Sequence, residues 1–110
     1  MSDAYTVVYT TEAKNDLFEI YAHIAYDLEA PEAAKEQVTR IRAEIRTLDF
    51  MPARYEAVRW EPWKSLNMRR IPVNRFVIYY AIDEAQRTVT IVRIFYGGRD
   101  VENIIKEGRT

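Results

Sequence analysis

The chain has 110 residues, 48% of them hydrophobic and 30% charged, with no cysteine and a net charge of −1. That size suits a single domain spanning residues 1–110, and the composition is that of a folded globule, not of a disordered chain. A disulfide framework and a thiolate zinc site are excluded, and no apolar run approaches the roughly 20 residues that a membrane helix needs.

The start, Met1-Ser2-Asp3-Ala4-Tyr5, has neither the basic nor the apolar region of a signal peptide, so the expected location is the cytoplasm with no membrane partner. Tyr5 to Tyr9 is a short β-rich run with Tyr5, Val7 and Tyr9 on one face. Thr10 or Thr11 then caps a helix whose first turn holds Glu12. Leu17, Tyr21, Ile24 and Leu28 recur at helical spacing, with Asp16, Glu19 and Asp27 off the stripe. Pro31 opens a second helix with the stripe Ala34, Val38, Ile41, Ile45 and Leu48. Ile24, Val38, Ile41 and Ile45 are the expected core of a helical hairpin that ends at Met51-Pro52.

Residues 52–66 lack a period and read as an irregular loop, in which Trp60 and Trp63 are expected to fill the sheet edge. Met68 to Val73 alternates, Asn74-Arg75 is a turn, and Phe76 to Ile82 is an apolar run of the kind found in central strands. Asp83 to Arg87 is a hairpin loop, and Thr88 to Tyr96 is the last strand. Gly97-Gly98 breaks it, and Asp100 caps a short final helix. The fold class is α+β, in the order β–αα–βββ–α. The helical hairpin packs on one face of a small, mainly antiparallel twisted sheet.

Charge is divided along the chain. Residues 1–52 hold five Lys/Arg against ten Asp/Glu, and residues 53–110 hold eleven against seven. The second half concentrates Arg69, Arg70, Arg75, Arg93 and Arg99 with Tyr79, Tyr80 and Tyr96. Arginine favours bidentate recognition of phosphate or carboxylate. Strict alternation puts Val89, Ile91, Arg93 and Phe95 on one face of the last strand and Thr90, Val92, Ile94 and Tyr96 on the other. The face away from the helices is then free, and exposed Arg and Tyr on it would suit an RNA strand. Arg93 has two readings: a functional group, or a structural ion pair with Asp100 or Glu61. His23, the single histidine, reads as a surface or hairpin residue. No metal-ligand spacing, phosphate-cradling glycine loop or nucleophile elbow occurs, so neither metal nor cofactor is expected.

Three segments resemble one family in order and spacing. Tyr5 to Ile20 is similar to the opening strand and first helix of RelE/ParE toxins. Arg70-Ile71-Pro72-Val73-Asn74-Arg75-Phe76-Val77-Ile78-Tyr79-Tyr80 resembles their middle strand pair. Val92-Arg93-Ile94-Phe95-Tyr96-Gly97-Gly98-Arg99-Asp100 resembles their closing signature. The resemblance implies the toxin of a type II toxin–antitoxin module, held in a hetero-oligomer by a cognate antitoxin. RelE-like members cut ribosome-bound mRNA without metal, and ParE-like members inhibit DNA gyrase.

On that resemblance Arg99 matches a phosphate-binding arginine, and Arg99, Tyr96 and Arg93 are the catalytic candidates if the chain is a ribonuclease. Lys64, Arg69, Arg70 and Arg75 are the candidates for binding RNA or a partner. Ile105 stands where the ribonucleases carry a tyrosine, and Pro72 where they carry an arginine. The incomplete set favours gyrase inhibition. The alternatives are ribosome-dependent mRNA cleavage and a non-toxic binding module of the same fold, the last in keeping with an acidic isoelectric point near 5.9.

Overall fold

Among the described residues five strands form one sheet in the order β1-β5-β4-β3-β2. They are β1 (Thr6–Tyr9), β2 (Glu56–Ala57), β3 (Met68–Val73), β4 (Phe76–Asp83) and β5 (Thr88–Tyr96). β1 runs parallel to β5, from Thr6 opposite Thr88 to Tyr9 opposite Ile91, and the other pairs are antiparallel. The helices are α1 (Thr11–Ala22), extended by a π-helical turn at His23–Asp27, then α2 (Pro31–Arg46) and α3 (Val101–Lys106). This computed structural model describes residues 4–108; Met1, Ser2 and Asp3, on which the signal-peptide expectation partly rests, lie outside them. Among the described residues no helix is long and apolar enough to cross a membrane.

The expected order β–αα–βββ–α holds, with the two-residue β2 added inside the irregular loop. Local chemistry explains the boundaries. Thr10 Oγ1 accepts from the Ala13 N–H at 3.0 Å and starts α1. Pro31 occupies the first turn of α2, where its missing N–H costs nothing. Asn74 turns the β3–β4 hairpin with φ 56°, a left-handed value that asparagine tolerates.

The sheet has a core on each face. On one, Ala13 and Leu17 of α1 and Ile41 and Ile45 of α2 pack on Ile71, Ile78, Tyr80, Val89, Ile91 and Ile94. Ile41 and Ile45 are buried as expected, whereas Ile24 and Val38 are only partly so. On the other, Val58, Trp63 and Val101 cover Met68, Val77, Tyr79 and Phe95. Trp60 stacks on Trp63 with centroids 5.0 Å apart, and Trp63 lies 5.0 Å from the Tyr79 ring. The expectation of a free second face is therefore overturned. The tryptophans lie over that face, not at the sheet edge, and with α3 they keep it dry.

Strict alternation also fails in β5. A bulge opposite Tyr79 and Tyr80 leaves Val92 unpaired and shifts the phase, so Ile91 and Ile94 enter the helix-side core and Phe95 the other. α1 takes up the backbone groups there. Thr10 Oγ1 donates to the Val92 carbonyl at 2.8 Å, and Asp16 Oδ2 accepts from the Ile94 N–H at 2.9 Å. Asp16 also accepts from Arg93 Nε at 2.8 Å and Nη2 at 3.0 Å, a bidentate pair with side chains only 12% and 13% exposed. The partner of Arg93 is thus Asp16, not Asp100 or Glu61. Asp100 instead accepts from the Asn103 N–H and caps α3, and Glu61 accepts from Ser65.

Two outcomes follow for stability. Ile41→Ala truncates a fully buried side chain, so chemical denaturation should show a loss of about 2–5 kcal/mol; a loss below about half a kcal/mol would refute this packing. Asp16→Ala leaves the Arg93 charge and the Ile94 N–H uncompensated and should cost roughly 3–5 kcal/mol. Arg93→Met in that background should restore part of the loss, and strict additivity in the double-mutant cycle would deny the coupling.

Candidate functional site

A cleft of about 1000 Å³ opens where the C-terminal end of α1 and its π-helical turn stand over the end of β5. α1 and the turn contribute Glu19, Ile20, His23 and Ile24 to one wall. The β3–β4 turn and the last residues of β5 contribute Arg75, Phe76, Arg93 and Tyr96 to the other, and Arg99 and Ile104 also line it.

Gly97 makes this convergence possible. Its N–H donates to the Arg75 carbonyl at 2.7 Å, and a Cβ there would meet that oxygen at 3.1 Å. The turn bearing Arg75 is thereby held against the segment bearing Tyr96 and Arg99. Tyr96 is half exposed and packs edge-on against Phe76 with centroids 5.7 Å apart. The guanidinium carbons of Arg93 and Arg99 lie 4.4 Å and 5.4 Å from the centroid of one ring, Phe95. They are therefore no farther apart than those two distances laid end to end. Arg75 and Arg99 are exposed, and among the described residues no carboxylate pairs with either. The chemistry on offer is anion binding beside an apolar wall.

Of the seven candidates from sequence, Arg75, Arg93, Tyr96 and Arg99 share this cleft. The other three do not line it. Arg69 Nη1 donates to the Tyr55 carbonyl at 2.6 Å, Arg70 pairs with Glu56 at 3.3 Å across β2 and β3, and Lys64 is exposed in the tryptophan loop. Tyr79 and Tyr80 are buried on opposite faces. The Tyr80 hydroxyl donates to the Pro52 carbonyl at 2.6 Å, and burial pushes its pKa up to about 12, which removes it from proton transfer near neutrality. His23 is exposed, as expected, with Nδ1 3.1 Å from Asp27 Oδ2, yet it also lines the cleft.

Sequence reasoning passed over Asp16 and Phe95. Asp16 sits off the α1 stripe, and only the β5 bulge, which no periodicity reveals, brings it to Arg93. Among the described residues no group of three or more His, Asp or Glu could hold a metal ion.

Comparisons with known proteins agree with this architecture. A chain of the chromosomal ParDE toxin–antitoxin system from P. aeruginosa superposes with a TM-score of 0.70 at 22% identity, over 86% of this chain and 98% of that one. A chain of the RelBE2 toxin–antitoxin complex from Mycobacterium tuberculosis matches with a TM-score of 0.60 at 22% identity, over 84% and 91%. A chain of the archaeal RelE–RelB complex from Pyrococcus horikoshii OT3 matches with a TM-score of 0.60 at 15% identity, over 87% and 98%. No curated protein sequence matches this chain. The model of the family described as the ParE toxin of type II toxin–antitoxin system, parDE, matches residues 7–101. That match runs from β1 to the first residue of α3, and the chain belongs to the family of ParE toxins of type II toxin–antitoxin systems.

Proposed function

We propose that this toxin arrests growth by binding and inhibiting DNA gyrase, with no bond-making step of its own, and that a cognate antitoxin neutralises it in a hetero-oligomer. The observation that carries the reading is the covered second face of the sheet. A ribonuclease of the RelE kind needs a phosphate-binding surface with acid and base groups in reach of the substrate. Here that face is filled by Trp63, Tyr79 and Phe95, Tyr80 is buried on the other, and Arg93 is taken by Asp16. What remains is a binding cleft. Membership of the ParE family and the toxin–antitoxin complexes among the structural relatives support the antitoxin half of the proposal.

One arrangement favours a second reading, cleavage of ribosome-bound mRNA. Arg99 and Tyr96 both reach the cleft, an oxyanion donor beside a hydroxyl.

Two assays on the wild-type chain separate the readings. Under gyrase inhibition, plasmid supercoiling fails in its presence, primer extension finds no cut in ribosome-bound mRNA, and co-expression of the adjacent small gene restores growth. Cleaved mRNA with normal supercoiling would overturn the proposal. Arg99→Ala should then lower cleavage on the order of a hundredfold, the usual cost of one transition-state donor.

A further inference from the structure

We propose that Tyr9, Arg42 and Arg46 form a binding site for a small ligand that carries a phosphate dianion, either free phosphate or the terminal phosphate of a nucleotide. None of the three lines the cleft between α1 and the end of β5, and the inference rests neither on the antitoxin nor on gyrase.

Placement is the first argument. Arg42 and Arg46 stand one turn apart on α2, so their Cβ atoms are roughly 5–6 Å apart and both guanidinium groups can reach one ion. Each follows a buried isoleucine, Ile41 or Ile45, so the two project from one flank of the helix. Tyr9 is the last residue of β1, the strand at the sheet edge, and packs against the core that holds those isoleucines. Both arginines act electrostatically on its phenol, which sets the three side chains on one side of the molecule.

The polar ends of all three are uncommitted. Arg42 and Arg46 are exposed, and among the described residues no carboxylate pairs with either. A basic residue in the last turn of a helix ordinarily serves the final carbonyls. Here Arg54 does so from outside, donating to the Thr47, Phe50 and Met51 carbonyls, and Arg46 is released from that role. The Tyr9 hydroxyl makes no hydrogen bond among the described residues and stays open to water. Burial holds its pKa above the ordinary phenol value against the pull of the two arginines, so near neutrality it keeps its proton and can donate it.

The donor set chooses the ligand. It comprises two planar guanidinium forks and one neutral hydroxyl. A carboxylate offers two oxygens and a single charge, which one fork already satisfies. A phosphate monoester offers three terminal oxygens and a charge of about −2, a match for two arginines and a phenol. A phosphodiester of a nucleic-acid backbone has two free oxygens and one charge, and leaves a fork unfilled. The neutral phenol matters as much as the arginines, because a phenolate at that position would repel the anion.

Isothermal titration calorimetry of the full chain at fixed ionic strength tests this, with inorganic phosphate and AMP as the two ligands. The wild type should bind at one saturable site, and the melting temperature should rise with ligand concentration. Tighter binding of AMP than of phosphate identifies a nucleotide as the source, and equal binding identifies the ion itself. Arg42→Gln/Arg46→Gln keeps good helix formers at exposed positions and should bind about ten- to a hundredfold more weakly, the range expected for losing charge-assisted contacts. Arg42→Lys/Arg46→Lys, which keeps the charge but not the planar fork, should fall between that variant and the wild type. Tyr9→Phe, which removes one neutral hydrogen bond and leaves the ring in place, should weaken binding about two- to tenfold. Arg40→Gln/Arg59→Gln removes the same charge elsewhere and should bind as the wild type does. No saturation by about 10 mM of either ligand, undiminished binding by Arg42→Gln/Arg46→Gln, an equal loss in Arg40→Gln/Arg59→Gln, or tighter binding of an oligonucleotide without a terminal phosphate than of AMP would each overturn the inference.

Discussion

β5 outruns the strand beside it. β1 ends at Tyr9, opposite Ile91, while β5 continues from Val92 to Tyr96 with no strand on that side among the described residues. Along this stretch α1 substitutes for a strand: Thr10 takes the Val92 carbonyl, and Asp16 takes the Ile94 N–H together with the Arg93 guanidinium. Buried backbone groups must be paired, and here side chains of one helix do the pairing. The same contacts fix how α1 crosses the sheet and hence where its C-terminal end stands. The cleft exists because of that crossing.

A division of labour among the arginines follows. Arg93 and Arg69 work inward, one on Asp16 and one on the Tyr55 carbonyl, and each leaves one buried nitrogen without an acceptor. Arg54 donates to the Phe50 carbonyl at 2.5 Å and to Thr47 Oγ1 at 3.0 Å, which closes the chain after α2. Only some of the positive charge in the second half of the chain is therefore on offer to a partner. The aromatic residues divide likewise: Trp63, Tyr79, Tyr80 and Phe95 are core, and Tyr96 faces outward. Counting Arg and Tyr in a sequence overstates a binding surface when the fold spends most of them on itself.

The elements were legible because their periods are simple. Of the stripe Ala34, Val38, Ile41, Ile45 and Leu48 all but the partly buried Val38 turned out buried, and the run from Phe76 to Ile82 forms the main part of β4. The capping roles of Thr10 and Asp100 were visible in residue type and position. What the sequence hid was long-range or aperiodic. One extra residue at Val92 moved Ile94 and Phe95 to faces opposite to those alternation assigns. Asp16 looked like a solvated helix residue because its partner is 77 positions away. The tryptophan loop has no period, so nothing along the chain said which face it would cover. The site was half legible for the same reason. Residue type singled out Arg75, Arg93, Tyr96 and Arg99, but only the approach of Gly97 to the Arg75 carbonyl brings them to one cleft.

The parallel pairing of β1 with β5 has a consequence for the timing of folding. The partners Thr6 and Thr88 are far apart along the chain, whereas α1 with α2, and β3 with β4 and β5, are neighbours in sequence. Local pairs close short loops and form early; β1 and β5 must close the long loop that holds every element between them. On a ribosome the hairpin of helices emerges long before the strand it covers. Until Val92 to Tyr96 is made, Thr10 and Asp16 have no backbone to bond, and the cleft lacks one of its walls. A chain stopped short of Gly97 would keep α1 and α2 but have no complete binding surface, so the capacity to bind arrives only once the segment from Val92 to Arg99 has been made.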